Sequence, residues 1–159
     1  MGDAATGSLA ERISELESDF AALDARERLE LLVEYAEDMP ALPPEYAARR
    51  AAGENRISEC QTPVFLWVET SADRVSIAAD VAPEAPTVKG FVALMKSLFD
   101  GVRPAEVASV PADLFGRLGL DEAMGRLRQR GMQAVATRIR RAAEAAVATD
   151  AESEKASRK

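Results

Sequence analysis

The sequence is organised around one run of consecutive apolar residues, Val64 to Val68 (Val-Phe-Leu-Trp-Val). It is the longest aliphatic and aromatic run in the chain, and it is far shorter than the roughly 20 residues that a membrane-spanning helix needs. β-branched and aromatic residues favour strands, and a run without polar alternation is typical of a strand covered on both faces. We therefore expect a central strand here and no membrane association.

The residues after this run predict a partner strand. A turn at Ser71-Ala72-Asp73 is followed by residues 74–79, in which polar and apolar side chains alternate as in a strand with one solvated face. The two segments predict a β-hairpin. Ile57 to Glu59 are expected to add a third short strand, which gives a small antiparallel sheet of about three strands.

Apolar residues recurring every three or four positions predict helices on both sides of the hairpin. Asp24 followed by Glu27 resembles a capping box at the start of the second helix. Glycines at 53 and 101 suit helix ends. The predicted helices begin near Leu9, Asp24, Glu45, Val88, Pro104, Leu114 and Gly131, and the last of them ends near Val147.

The chain length of 159 residues suits a single domain with one core. Residues 1–8 and the tail from about Thr149 are small or polar without hydrophobic periodicity, so both ends are expected to be disordered. The prediction is one α+β domain over residues 9–148, with helices packed on the small sheet.

Charge and residue counts exclude several classes of function. The formal net charge of -7 disfavours nucleic acid as a partner. There is no histidine, which removes the usual general base and the commonest metal ligand, and no carboxylate motif suggests a metal site or a cofactor. A single cysteine precludes an internal disulfide and favours a reducing compartment, so we expect a cytoplasmic protein.

The one cysteine, Cys60, lies in a polar loop (Ile57 to Pro63) that leads directly into the apolar strand. A thiol at the end of a rigid element suits chemistry, although free cysteines are also common as buried structural residues. Glu59 would raise the pKa of this thiol and a nearby arginine would lower it, and the sequence leaves this open. Thiol exchange needs no separate base, whereas a cysteine hydrolase would need a histidine.

Three stretches of the chain resemble the SufE family of sulfur-acceptor proteins. Residues 59–66 (Glu-Cys-Gln-Thr-Pro-Val-Phe-Leu) resemble the family pattern Gly-Cys-Gln-Ser-X-Val-Trp-Leu, with the cysteine in register. Residues 88–94 resemble Val-Lys-Gly-Leu-Ile-Ala-Leu, and residues 128–132 resemble Arg-Ser-X-Gly-Leu. The similarity extends from about Leu9 to Ala146.

The resemblance implies an α+β fold related to the IscU-type cluster scaffolds. It further implies that Cys60 accepts persulfide sulfur from a SufS-type cysteine desulfurase, stimulates that enzyme and passes the sulfur to a SufB-containing scaffold complex. An IscU-type scaffold holds its cluster with several cysteines, so one cysteine suits sulfur carriage rather than cluster assembly. Arg128 matches the position where a guanidinium would stabilise a thiolate or persulfide. The residues expected to contact partners are Glu59, Gln61, Asp80, Lys89 and Gly90.

The loop after Asp80 departs from the family pattern. Val81 and Ala82 replace Ser-Asp, and Pro83 and Pro86 are inserted. This keeps open a second hypothesis, a non-catalytic domain that binds and regulates a desulfurase. A third is a redox sensor that forms a sulfenic acid on Cys60.

Three of the implied site residues also have purely structural explanations. Arg128 and Lys89 would then be solvated charges, and Gly90 would serve close packing of helix on sheet.

Overall fold

The computed structural model describes residues 7–158 of the chain and confirms an α+β fold with a small antiparallel sheet. Within these residues no helix is both long and apolar enough to cross a membrane. The helices are α1 (Leu9–Ala21), α2 (Ala25–Glu37), α3 (Ala47–Ala51), α4 (Pro86–Phe99), α5 (Pro104–Ala108), α6 (Leu114–Arg117), α7 (Leu120–Ala123) and α8 (Arg126–Ser157), and the strands are β1 (Val64–Ser71) and β2 (Arg74–Val81).

Side-chain caps fix the starts of the first two helices. Ser8 and Glu11 form a reciprocal capping box at α1. Asp24 and Glu27 form the predicted one at α2, where the Glu27 N–H donates to Asp24 Oδ1 at 2.9 Å. Caps of this kind contribute about 1 kcal/mol each. The predicted helix from Glu45 is confirmed as a 3-10 turn (Pro44–Tyr46) that leads into α3, whereas α7 was not predicted.

The two strands form the predicted hairpin, with a register that runs from Val64 opposite Val81 to Ser71 opposite Arg74. Ala72 and Asp73 form the turn with positive φ values of 51° and 65°, the arrangement that matches the twist of a two-residue hairpin. Both faces of the hairpin are covered, as expected for the apolar run. One face joins the main core and the other carries a small cluster around Phe65 and Trp67.

The predicted third strand at Ile57 to Glu59 is wrong. The described residues contain a two-stranded sheet, and the segment before Cys60 contributes only an isolated bridge between Arg56 and Phe65. The pairing stops because the chain turns: the Cys60 N–H donates to the Ile57 carbonyl at 3.2 Å, with Ser58 and Glu59 exposed. The Ile57 N–H donates to the Val64 carbonyl at 2.8 Å and closes the base of the Cys60 loop, residues 58–63.

The core is centred on α4, which packs against α2, β2 and α8. Glycine at position 90 permits the close approach of α4 and α2, because a Cβ there would overlap the backbone carbonyl of Leu32. The fully buried side chains of this core include Phe20, Leu32, Ile57, Leu66, Phe91, Leu94, Met132 and Ile139.

The last helix is longer than predicted at both ends. It begins at Arg126 rather than near Gly131. The prediction missed the first turn because that turn is exposed and shows no apolar stripe. The helix continues to Ser157, and the exposed segment from Thr149 that was predicted to lack structure is helical as far as that residue. Alanine, glutamate and lysine in this segment favour helix without packing. At the other end, residues 1–6 of the predicted disordered segment lie outside the described residues.

Candidate functional site

Cys60 lies at the inner edge of its loop, with only 9% of its surface exposed. Its side chain belongs to the main hydrophobic core, and its thiol is free. The loop is tied at its base by the Ile57–Val64 hydrogen bond and leads directly into β1. Strand β1 and the hydrogen bond at the base of the loop therefore hold the cysteine in a defined place against the body of the protein.

The wall opposite the thiol is the backbone of α8 at Gly131. A Cβ atom on Gly131 would lie 2.6 Å from Cys60 Sγ, closer than real Cβ contacts come. The sulfur therefore occupies the space that a side chain at position 131 would fill.

A cleft of about 510 Å³ opens beside the thiol. The Cys60 loop supplies one wall, the connection from β2 into the first turn of α4 supplies the second, and the start of α8 supplies the third. The lining residues are Cys60, Gln61, Thr62, Glu84, Ala85, Pro86, Thr87, Val88, Gly125, Leu127, Arg128 and Gly131.

The resting environment disfavours the thiolate. Burial raises the pKa of the Cys60 thiol, and the negative charge of Glu59 raises it further. Glu59 thus acts in the direction considered from the sequence, and no arginine is among the causes of the shift. Because the thiolate is the nucleophilic form, Cys60 in this position is a weak nucleophile at neutral pH.

The cleft itself offers groups that favour an anion. The first turns of α4 and α8 both line it, and neither helix has a side-chain N-cap. Their unpaired N–H groups and the positive end of each helix dipole attract negative charge. Arg128 is exposed at the rim and forms no ion pair with any residue between 7 and 158, and Glu84 is the one carboxylate among the lining residues.

The structure brings together three of the residues singled out in the sequence: Cys60, Gln61 and Arg128 line one cleft. Glu59 lies next to them but points outward, where its carboxylate accepts from the Ser58 hydroxyl at 3.4 Å. Lys89 is half-buried and lies one residue beyond the lining of the cleft.

Asp80 and Gly90 lie elsewhere. Asp80 pairs with Phe65 across the hairpin, on the face that carries the Phe65–Trp67 cluster, and its carboxylate forms an ion pair with Arg50. Gly90 is buried against Leu32 of α2, so the close packing expected of this glycine is between two helices rather than between helix and sheet.

Sequence reasoning missed two features of the cleft. Gly131 was part of the motif at residues 128–132, but a glycine in a sequence does not tell which side chain it makes room for. Leu127 is 54% exposed beside Arg128, an unusual position for a leucine, and the only available signal was its place next to that arginine. Within the described residues no group of acidic or cysteine side chains is placed to hold a metal ion.

The family model described as "SufE: Fe-S metabolism associated domain" matches residues 14–143. The chain belongs to the SufE family. The predicted family and α+β fold are thus confirmed, and the family connects the chain to iron-sulfur metabolism.

Similar proteins agree with this assignment over nearly their whole length. An uncharacterised SufE-like protein of Mycobacterium tuberculosis is 37% identical over 138 residues, which cover 86% of this chain and 94% of the relative. One from Rhizobium meliloti is 28% identical over 136 residues, with 83% and 94% covered. The solution structure of a hypothetical protein from Thermus thermophilus superposes with a TM-score of 0.69 at 31% identity, covering 88% of this chain and 96% of that one.

Proposed function

We propose that this SufE-family chain is a sulfur carrier that accepts persulfide sulfur on Cys60 from a SufS-type cysteine desulfurase and delivers it to a SufB-containing scaffold. One observation carries the proposal: the chain's one thiol borders a cleft that combines two uncapped helix starts with Arg128. These are groups that suit an anionic sulfur species. A chain that works through a free thiol suits the reducing cytoplasm.

The transfer step conserves atoms and electrons. The Cys60 thiolate attacks the outer sulfur of the donor's persulfide, a new S–S bond forms on Cys60, and the donor leaves as a thiolate. Delivery repeats the exchange, with an acceptor thiolate attacking the outer sulfur and Cys60 leaving as the thiolate. Neither step requires a histidine, a metal ion or an external oxidant.

The resting position of Cys60 requires that the thiol moves before the reaction. A cysteine that is 9% exposed and whose sulfur packs on α8 presents little surface for attack on a partner's persulfide. The adjoining cleft provides the space into which the side chain turns, and there Arg128 and the helix starts offset the cost of forming a thiolate. The exposed residues Glu59 and Gln61, with the less exposed Lys89 and Asp80, are the proposed partner contacts.

The second candidate is a domain that binds and regulates a desulfurase without carrying sulfur. The sheltered, protonated thiol and the engagement of Asp80 by Arg50 favour this alternative. A redox sensor fits less well, because oxidation to a sulfenic acid follows thiolate character and exposure.

Desulfurase turnover separates the two candidates. The rate of alanine formation from cysteine is measured with a desulfurase from the same source, with wild type, with Cys60→Ser and without added carrier. Under the carrier hypothesis wild type stimulates turnover and Cys60→Ser does not, although it still binds. Equal stimulation by both forms would establish the regulatory role and exclude the carrier.

A further inference from the structure

Cys60 packs against Gly131 of α8. The three atoms nearest to a Cβ built on Gly131 all belong to Cys60: Sγ at 2.6 Å, and Cα and Cβ at 3.7 Å each. The two carbon distances are ordinary van der Waals contacts. Only the sulfur lies closer than a side chain would tolerate.

This contact differs in kind from the close glycine packing at the crossing of α2 and α4. At Gly90 the obstructing atoms are the backbone of Leu32, which cannot turn away. At Gly131 the obstructing atom is the end of a side chain with one rotatable bond, next to a cleft that contains free space. A methyl group at position 131 therefore displaces the sulfur by rotating it about the Cα–Cβ bond, and the backbone of both elements stays in place.

We propose that Gly131 is a positioning residue that sets the sheltered state of Cys60: lacking a side chain, it lets the thiol pack against α8 and out of reach of partners. The proposal rests on the function of Cys60 as the sulfur acceptor. To accept sulfur, Cys60 leaves this contact and turns into the cleft. A loaded Cys60 directs its outer sulfur away from α8, because the space at Gly131 is filled by Sγ alone.

The shelter is tested in the free protein, with no desulfurase present. The rate at which Cys60 reacts with iodoacetamide is measured at one pH for wild type, Gly131→Ala and Gly116→Ala. Gly116 is a helical glycine of α6, where a Cβ would meet only ordinary contacts, so it controls for replacing glycine by alanine in a helix. Since the chain has one cysteine, every alkylation event reports on Cys60.

Gly131→Ala is expected to react roughly tenfold faster than wild type, because access and thiolate fraction both rise. Gly116→Ala is expected to stay within about twofold of wild type, because neither changes. A folded Gly131→Ala protein that reacts at the wild-type rate would overturn the proposal.

A double-mutant cycle of thermal unfolding distinguishes displacement of the sulfur from a general folding defect. If the sulfur is the group that obstructs a methyl at position 131, Gly131→Ala lowers Tm in wild type but does not lower it in a Cys60→Ala background. If Gly131→Ala unfolds the protein in both backgrounds, the glycine serves the backbone alone and the proposal is wrong.

Sulfur loading by a desulfurase distinguishes this inference from the proposed function. Wild type that loads sulfur, together with equal alkylation of wild type and Gly131→Ala, refutes the positioning role and keeps the carrier. If wild type fails to load sulfur and Gly131→Ala is still alkylated faster, the carrier hypothesis is refuted. Gly131 then only shelters a thiol of unassigned function, so its role in positioning a sulfur acceptor is refuted as well.

Discussion

At the scale of single residues, the proposed carrier role places opposing requirements on Cys60, which are shelter of the thiol and reaction of the thiolate. Against α8 the thiol is sheltered and its pKa is raised, which protects it from solvent oxidants. In the adjoining cleft the helix starts and Arg128 favour its anion. A rotation of one side chain connects the two environments.

The raised pKa predicts a pH dependence for both reactivity and stability. The alkylation rate of Cys60 should rise with pH along a curve centred above the ordinary cysteine pKa, and the same curve should shift down in denaturant. Because the folded-state pKa exceeds the unfolded-state pKa, the stabilisation is complete below the unfolded-state pKa and is lost as pH rises through the folded-state pKa. The free energy of unfolding of wild type should therefore fall relative to Cys60→Ser on going to alkaline pH. An alkylation curve that does not shift on unfolding would contradict the burial effect.

Arg128 is expected to act on the sulfur anion and not on the fold. Arg128→Ala should slow sulfur acceptance by roughly tenfold, since hydrogen bonds to charged groups contribute about 1.5–3 kcal/mol. Its free energy of unfolding should change by less than about 0.5 kcal/mol, because the side chain is exposed. Arg130→Ala is the matched control, since Arg130 is exposed on the same helix but does not line the cleft. Equal slowing by both variants would point to a general charge effect instead.

Short motifs led to the prediction of Cys60, Gln61 and Arg128 as site residues, and the structure places all three at one cleft. The sequence did not reveal the contact between Gly131 and the thiol, which depends on how α8 crosses the Cys60 loop. The position of Asp80 depends on hairpin register, which places it opposite Phe65 and so on the outer face.

At the scale of elements, the site depends on where α4 and α8 begin, because both first turns line the cleft. The position of α4 follows from its close crossing with α2 at Gly90. The Cys60 loop is fixed by the Ile57–Val64 hydrogen bond in the place where a third strand was expected.

Gly90→Ala is expected to lower the free energy of unfolding by about 3 kcal/mol, because an added methyl overlaps backbone that cannot rotate away. Gly116→Ala should change it by no more than about 1 kcal/mol, the range of helix propensity. Chemical denaturation measures both. A Gly90→Ala protein as stable as wild type would show that α2 and α4 are not in such close contact.

Periodicity predicted most of the helices and the hairpin, since their apolar stripes face one core. It failed where elements lack a stripe, at the exposed first turn of α8 and at its exposed continuation to Ser157. It also failed at the expected third strand, where local turn hydrogen bonds at Ile57 and Cys60 compete with strand pairing.

At the scale of the whole molecule, the chain is a small acidic protein that presents one thiol beside one anion-favouring cleft. Leu127 and Arg128 at the start of α8 are both exposed and line the cleft, which gives its edge an apolar and a basic group. Such a surface suits transient docking of a partner protein better than binding of a small substrate.

The most direct test of sulfur carriage is the intact mass of the protein after incubation with a cysteine desulfurase and free cysteine. Wild type and Cys60→Ser are compared before and after treatment with a thiol reductant. The carrier account predicts a gain of one sulfur atom on wild type alone, and its loss on reduction. No gain on wild type with a desulfurase from the same source, or an equal gain on Cys60→Ser, would contradict it.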